Sequence, residues 1–183
     1  MGMGFSSSTY FSDLWEYNPS TDAWSQKATM PGGTTALRSF AVGFAIGTKG
    51  YVGTGWNGTI TKYDFYEFDP VANTWTAKTN FNVSGRRDAV GFSIGTKGYI
   101  GTGITGVPYY QDMWEYDPTA NTWTQKTSLT GEKRKGSVGF AINGKGYVGT
   151  GLNSGFVYKT DFWEFDPNGN GINEYENLVD VSV

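Results

Sequence analysis

The sequence predicts an all-β fold of repeated four-stranded antiparallel sheets, and three observations on its 183 residues carry that prediction. The first is a period. GTKGYVGTG at 47, GTKGYIGTG at 95 and NGKGYVGTG at 143 recur 48 residues apart, and periods of roughly 20–50 residues mark repeat architectures. The second is a two-residue alternation: Phe40, Val42, Phe44 and Ile46 interleave with Ser39, Ala41, Gly43 and Ala45, a strand pattern rather than a helical one. The third is a recurring aromatic segment, DLWEYNPSTDAWSQK from Asp13, DFYEFDPVANTWTAK from Asp64, DMWEYDPTANTWTQK from Asp112 and DFWEFDPNGN from Asp161.

Within one period the elements follow in order. Phe40–Ile46 is strand A, and the GTKGY segment after it is a tight hairpin, where glycine supplies a positive φ. Strand B, Tyr51–Gly55, carries glycine on one face, which implies that a ring or backbone lies close against it. In strand C, Tyr66 and Phe68 alternate with Phe65 and Glu67; DPVANTW then turns the chain, and Trp75 opens strand D. Each unit is thus a four-stranded meander with two apolar faces. Copies of the same sheet are the available cover for both, and stacking them around an axis gives a β-propeller.

A unit of about 50 residues with a glycine-rich end to strand B, an aromatic strand C ending Tyr/Phe-Asp-Pro, and a tryptophan soon after resembles the kelch repeat. The resemblance runs over residues 2 to 167 and departs from the family in one respect: the paired glycines appear as Gly-Thr-Gly at 53–55, 101–103 and 149–151. It implies four-stranded kelch-like blades. Gly2-Met3-Gly4 stands before Asp13 much as Gly53-Thr54-Gly55 stands before Asp64, so the chain starts at the end of a strand B. The expected organisation is one domain: a half-blade at 1–30, blades at 38–79 and 86–127, and a blade with a closing tail at 134–183. Three outcomes stay open. About four blades close, with Leu178–Val183 as the fastening strand; a partial ring is completed by a second copy as a homo-oligomer; or the chain is a piece of a larger propeller.

Composition narrows the chemistry. With no Cys and no His, thiol nucleophiles, disulfides, imidazole metal sites and Ser-His-Asp triads are all excluded. The copper chemistry of galactose oxidase, which the resemblance brings to mind, falls with them. A net charge of −3 supplies no basic field for nucleic acid. No apolar run approaches ~18 residues, so no membrane-spanning helix is expected. The N-terminus, MGMGFSSSTYF, lacks the basic and apolar regions of a secretory leader; the expectation is a cytosolic protein, or an extracellular one whose true N-terminus lies upstream.

Residues identical in every blade answer to packing, and unlike ones are free for recognition. Trp24, Trp75, Trp123, Glu16, Glu67, Glu115, Glu164 and the Gly-Thr-Gly segments form the first group. The second lies in the B–C loops and supplies Trp56, Asn57, Tyr109, Tyr110, Asn153, Phe156 and Tyr158, amphipathic groups suited to a protein or carbohydrate ligand. They equally suit a subunit interface. Arg38, Arg86 and Arg134 precede strand A in three blades, with Arg87 and Lys135 beside two of them. Converging guanidinium groups would bind a carboxylate or phosphate, or they bridge blades through backbone carbonyls. Asp166, Asn168, Asn170 and Gly171 open like a calcium loop, but position twelve is Asn177, and an Asp-Pro turn accounts for them better, so no cofactor is expected. The expected function is a non-catalytic binding module presenting one loop face, with an epimerase-like sugar-modifying enzyme using the arginines, or a purely structural unit, as alternatives.

Overall fold

The computed structural model describes residues 1–81, 84–169 and the backbone of 171–174. β1 (Gly2–Ser6), β2 (Thr9–Asn18) and β3 (Ala23–Lys27) form a three-stranded sheet, blade 1. Blade 2 is the meander β4 (Val42–Ile46), β5 (Lys49–Gly53), β6 (Phe65–Asp69) and β7 (Thr74–Lys78). Blade 3 repeats it as β8 (Val90–Ile94), β9 (Lys97–Gly101), β10 (Met113–Asp117) and β11 (Thr122–Lys126). The last stretch holds β12 (Arg134–Lys135), β13 (Val138–Ile142), β14 (Lys145–Gly149), β15 (Leu152–Asn153), β16 (Phe162–Asp166) and β17 (Gly171–Glu174). Of these, β13, β14, β16 and β17 are blade 4, and β12 pairs with β15. The one helical piece among the described residues is a 3-10 turn at Gly33–Thr35.

The strands arise where the alternation places them. Two-residue turns join strands A and B, pairing Ile46 with Lys49, Ile94 with Lys97 and Ile142 with Lys145. At the C–D turns, the Asp69 carboxylate accepts hydrogen bonds from the N–H groups of Val71 and Ala72, and Asp117 does the same for Thr119 and Ala120. Asp166 accepts from Asn168 N–H at 2.9 Å in the same way. The candidate calcium loop is therefore a capped turn. Among the described residues no three acidic groups gather to hold a metal, and Asn170 and the expected closing strand at 178–183 lie outside those residues.

Blades stack large on small. Val42, Phe44 and Ile46 of blade 2 face Gly91 and Gly98 of blade 3, where a Cβ would overlap the Val42 methyl or the Phe44 ring. Val90 and Phe92 of blade 3 meet Gly139 and Gly146 of blade 4 in the same manner. Further out, Phe65 packs edge-on to Tyr116 and Trp123 at 4.8 and 5.0 Å. Two apolar clusters result. One joins Val42, Ile46, Tyr51 and Phe65 to Ile100 and Tyr116; the other joins Val90, Phe92, Tyr99 and Met113 to Val148, Trp163 and Phe165.

The arrangement is a partial ring. The first and last blades share no packing among the described residues, and Val138, Phe140 and Ile142, equivalents of the buried Val42 series, are 51%, 46% and 54% exposed. Closure of four blades on themselves is thus not what the described residues form, because nothing in blade 1 reaches that face. Phe40 also departs from expectation. It adopts φ 55 outside the strand and is 54% exposed instead of sharing the face of Val42.

The stacking rule makes a direct prediction. Gly98→Ala should lower the unfolding free energy by about 1–3 kcal/mol through overpacking against Phe44. Gly43→Ala, whose added Cβ would meet nothing closer than 3.7 Å, should leave it almost unchanged in the same urea titration.

Candidate functional site

The three repeated arginines occupy the joints between strands. Arg38 is fully buried: its guanidinium donates to both Asp64 carboxylate oxygens at 2.7 Å, to the Thr54 carbonyl at 3.1 Å and, through Nε, to the Ala36 carbonyl at 2.9 Å. Arg86 repeats the fork on Asp112 with the Thr102 carbonyl, and Arg134 repeats it on Asp161 with the Thr150 carbonyl. Arg86 is also sandwiched between the rings of Phe81 and Tyr110, at 4.7 and 4.2 Å. A guanidinium already neutralised by a bidentate carboxylate, and sealed from solvent, is out of reach of a ligand.

The reading of Arg38, Arg86 and Arg134 as a ligand-binding ring is therefore corrected. Each clamps the ends of strands B and C of its own blade. Its backbone carbonyl does the bridging, accepting the N–H of Gly4, Gly55 or Gly103 from the preceding blade at 2.7–2.8 Å. Asp161 records the electrostatics: the hydrogen bonds from Arg134 hold its carboxyl below the ordinary 3.8.

Several B–C loop residues are likewise structural. The Asn57 side chain accepts from Thr59 and Ile60 N–H. Asn153 is buried, accepts from Gly155 and Val157 N–H and donates to Glu132. Tyr110 is spent on Arg86 and stands 3.4 Å from the Ser84 hydroxyl. Asx turns need an oxygen at a fixed place, so these loops use their polar groups to hold their own shape.

The remaining B–C loop aromatics, Trp56, Tyr109, Phe156 and Tyr158, keep partly or fully exposed rings. Backbone bridges Ser39↔Trp56 and Arg87↔Ile104, together with β12–β15, lace the B–C loops to the segments preceding strand A, and Ile104↔Tyr109 and Leu152↔Tyr158 close two of the loops on themselves. On that scaffold the Arg87 guanidinium lies 4.8 Å from the Trp56 ring and the Lys135 ammonium 5.9 Å from Tyr109. Phe156 and Tyr158 are 79% and 81% exposed. Tyr158, Lys159, Lys135 and Asp88 line one cleft of about 350 Å³ with Gly136, Thr150, Gly151 and Leu152. Desolvation raises the Asp88 carboxyl above its ordinary value, against the opposing pull of Lys135 and Arg87.

Asp88 and Lys159 had no place in the sequence-based site. The signal existed: Phe40, Asp88 and Gly136 occupy one left-handed position after the repeated arginine, with φ of 55, 55 and 63, yet differ in every blade. They succeed one another around the axis, Asp88 N–H bonding the Phe40 carbonyl and Gly136 N–H the Asp88 carbonyl.

Comparison with known proteins agrees with this architecture. Residues 4–31 match the family profile of the Kelch motif, and no curated protein matches the chain in sequence. Among solved structures, one titled "Structure of YjhT" superposes with a TM-score of 0.78 at 15% identity, covering 92% of this chain and 60% of that one. The chain thus spans 60% of the length of the structure it resembles, and its four-stranded antiparallel sheets form a partial propeller.

Two outcomes follow from the arginine joints. Arg86→Lys should cost about 3 kcal/mol in unfolding free energy, because a point charge cannot replace the buried fork on Asp112. Asp161 has a depressed folded-state pKa, so its contribution is complete above the ordinary 3.8 and is lost as pH falls through the lower folded value. Asp161→Asn should therefore be less stable than the parent at pH 7, with the gap between their urea midpoints closing below about pH 4.

Proposed function

We propose that the chain is a non-catalytic binding module whose loop face takes an acidic carbohydrate or an acidic peptide segment of a protein. The observation that supports it most is the pairing of rings with cations at positions that differ between blades: Trp56 with Arg87 and Tyr109 with Lys135. Rigid rings give contact area at little entropic cost, and adjacent cations select ligands bearing carboxylates. The cleft between Lys135, Lys159 and Tyr158 is concave enough to seat one sugar or side chain. An epimerase-like reading relied on the arginines, and their burial removes its reacting groups.

The test is calorimetric titration with oligogalacturonate and with a glutamate-rich peptide. At least one should bind, its affinity falling with added salt. The double variant Lys135→Gln/Tyr158→Ala should weaken binding at least tenfold while the melting temperature stays put. Failure of both probes, or binding indifferent to that variant, rejects the loop face.

A further inference from the structure

Three residues hold one backbone place, two positions before the aspartate that receives the buried arginine: Lys62 before Asp64, Tyr110 before Asp112 and Lys159 before Asp161. Their N–H groups donate to the carbonyls of Gly55, Gly103 and Gly151 at 2.8, 2.9 and 2.9 Å. A second place, two positions before each arginine, is held by Ala36, Ser84 and Glu132. The carbonyls of Ala36 and Glu132 both accept from the arginine Nε at 2.9 Å.

In blades 3 and 4 the first place is satisfied from within the fold. The Tyr110 ring lies 4.2 Å from the Arg86 guanidinium, and the Lys159 ammonium is paired with the Glu132 carboxylate. Blade 2 keeps the lysine without the acid, since Ala36 stands where Glu132 would be. Lys62 is 7% exposed, yet among the described residues its ammonium has no hydrogen bond and no ion pair. The Asp64 carboxylate, two residues on, is committed to the Arg38 fork. Burial pulls the Lys62 ammonium below its ordinary pKa, with Asp64 opposing the shift and Arg38 reinforcing it. A buried ammonium without an acceptor destabilises the fold that holds it.

That residue borders a cleft of about 310 Å³, lined also by Ile60, Thr61, Tyr63, Tyr66 and Asn80, among others. The hydroxyls of Thr61, Tyr63 and Tyr66 and the Asn80 amide make no hydrogen bond among the described residues. We infer that this cleft binds a small hydroxylated carboxylic acid the size of a single sugar acid, its carboxylate standing to Lys62 as Glu132 stands to Lys159. One ammonium, with the Asp64 carboxylate on the same wall, suits a singly charged carboxylate better than a phosphate dianion. Hydroxyl and amide groups that both donate and accept match the ligand's own hydroxyls. A volume near the lower end for small-molecule pockets fits one ring. No residue of this cleft lines the one at Lys135 and Tyr158, so either site can exist without the other.

The probe is D-glucuronate, titrated into the full chain by calorimetry, with lysine acetylation rates followed by mass spectrometry and with D-glucose and inorganic phosphate as controls. Glucuronate should bind saturably and slow acetylation of Lys62 at least fivefold, while the exposed Lys133 reacts as before. Glucose should do neither. Lys62→Met should weaken glucuronate binding at least tenfold and raise the melting temperature, because an apolar chain replaces a buried charge that has no partner. In the Lys135→Gln/Tyr158→Ala chain glucuronate should protect Lys62 as it does in the parent, which separates failure of this cleft from failure of the loop face. Phosphate that protects Lys62 as well as glucuronate does overturns the sugar-acid assignment. Absence of Lys62 protection by glucuronate, or a lower melting temperature in Lys62→Met, overturns the site itself.

Discussion

Everything in this molecule depends on one asymmetric contact, the packing of a large strand A side chain onto a glycine of the following blade. Phe44 lies where a side chain on Gly98 would have to be, and Phe92 does the same at Gly146. The contact is directional: one face of every blade is built to protrude and the other to receive. A stack of such blades therefore has two unlike faces. The aromatic layer outside this contact follows from it, since Tyr51, Phe65, Tyr116 and Trp123 can interlock only once the inner strands approach at glycine distance.

The polar framework solves the problem that this close approach creates. Where strands B and C diverge, backbone groups are buried, and a buried polar group without a partner costs far more than a hydrogen bond gains. The arginine fork satisfies the carbonyl of Thr54 or Thr102 and is itself neutralised by an aspartate. Thr54 and Thr102 hold left-handed φ of 62 and 57 because both of their backbone groups are claimed, the N–H by the Asp64 or Asp112 carbonyl and the C=O by the arginine. A β-branched residue is strained there, and its hydroxyl finds no partner. The joint is strong enough to hold it.

The period, the strands and their order were legible because packing repeats, and repetition writes itself into sequence. The inner glycines were legible as a close approach for the same reason. What stayed hidden was the direction of individual side chains at the joints. Arg38, Arg86 and Arg134 recur in three blades, which by the repeat's own logic marks them as framework, yet a row of arginines also has the chemistry of an anion site. Only the bidentate partners, 26 or 27 residues further along the chain, separate the two readings. Phe40 misled in the opposite sense, since its alternation with Val42 is broken by a single left-handed residue that no pattern reveals.

The same asymmetry explains why the recognition surface we propose lies where blades differ. A position that ties together the strands of its blade cannot vary without disturbing the contact, so Glu67 and Glu115 each keep a tyrosine and a lysine of the two flanking strands in place. The residues after each arginine bear no such constraint: Ser39, Arg87 and Lys135 share one backbone role and three chemistries, as do Phe40, Asp88 and Gly136. Their backbones are fixed by hydrogen bonds running from blade to blade, while their side chains are free to change. A rigid main chain carrying variable side chains presents a ligand with groups whose ordering cost is already met by the fold, and the loop face owes its suitability for binding to the stacking beneath it.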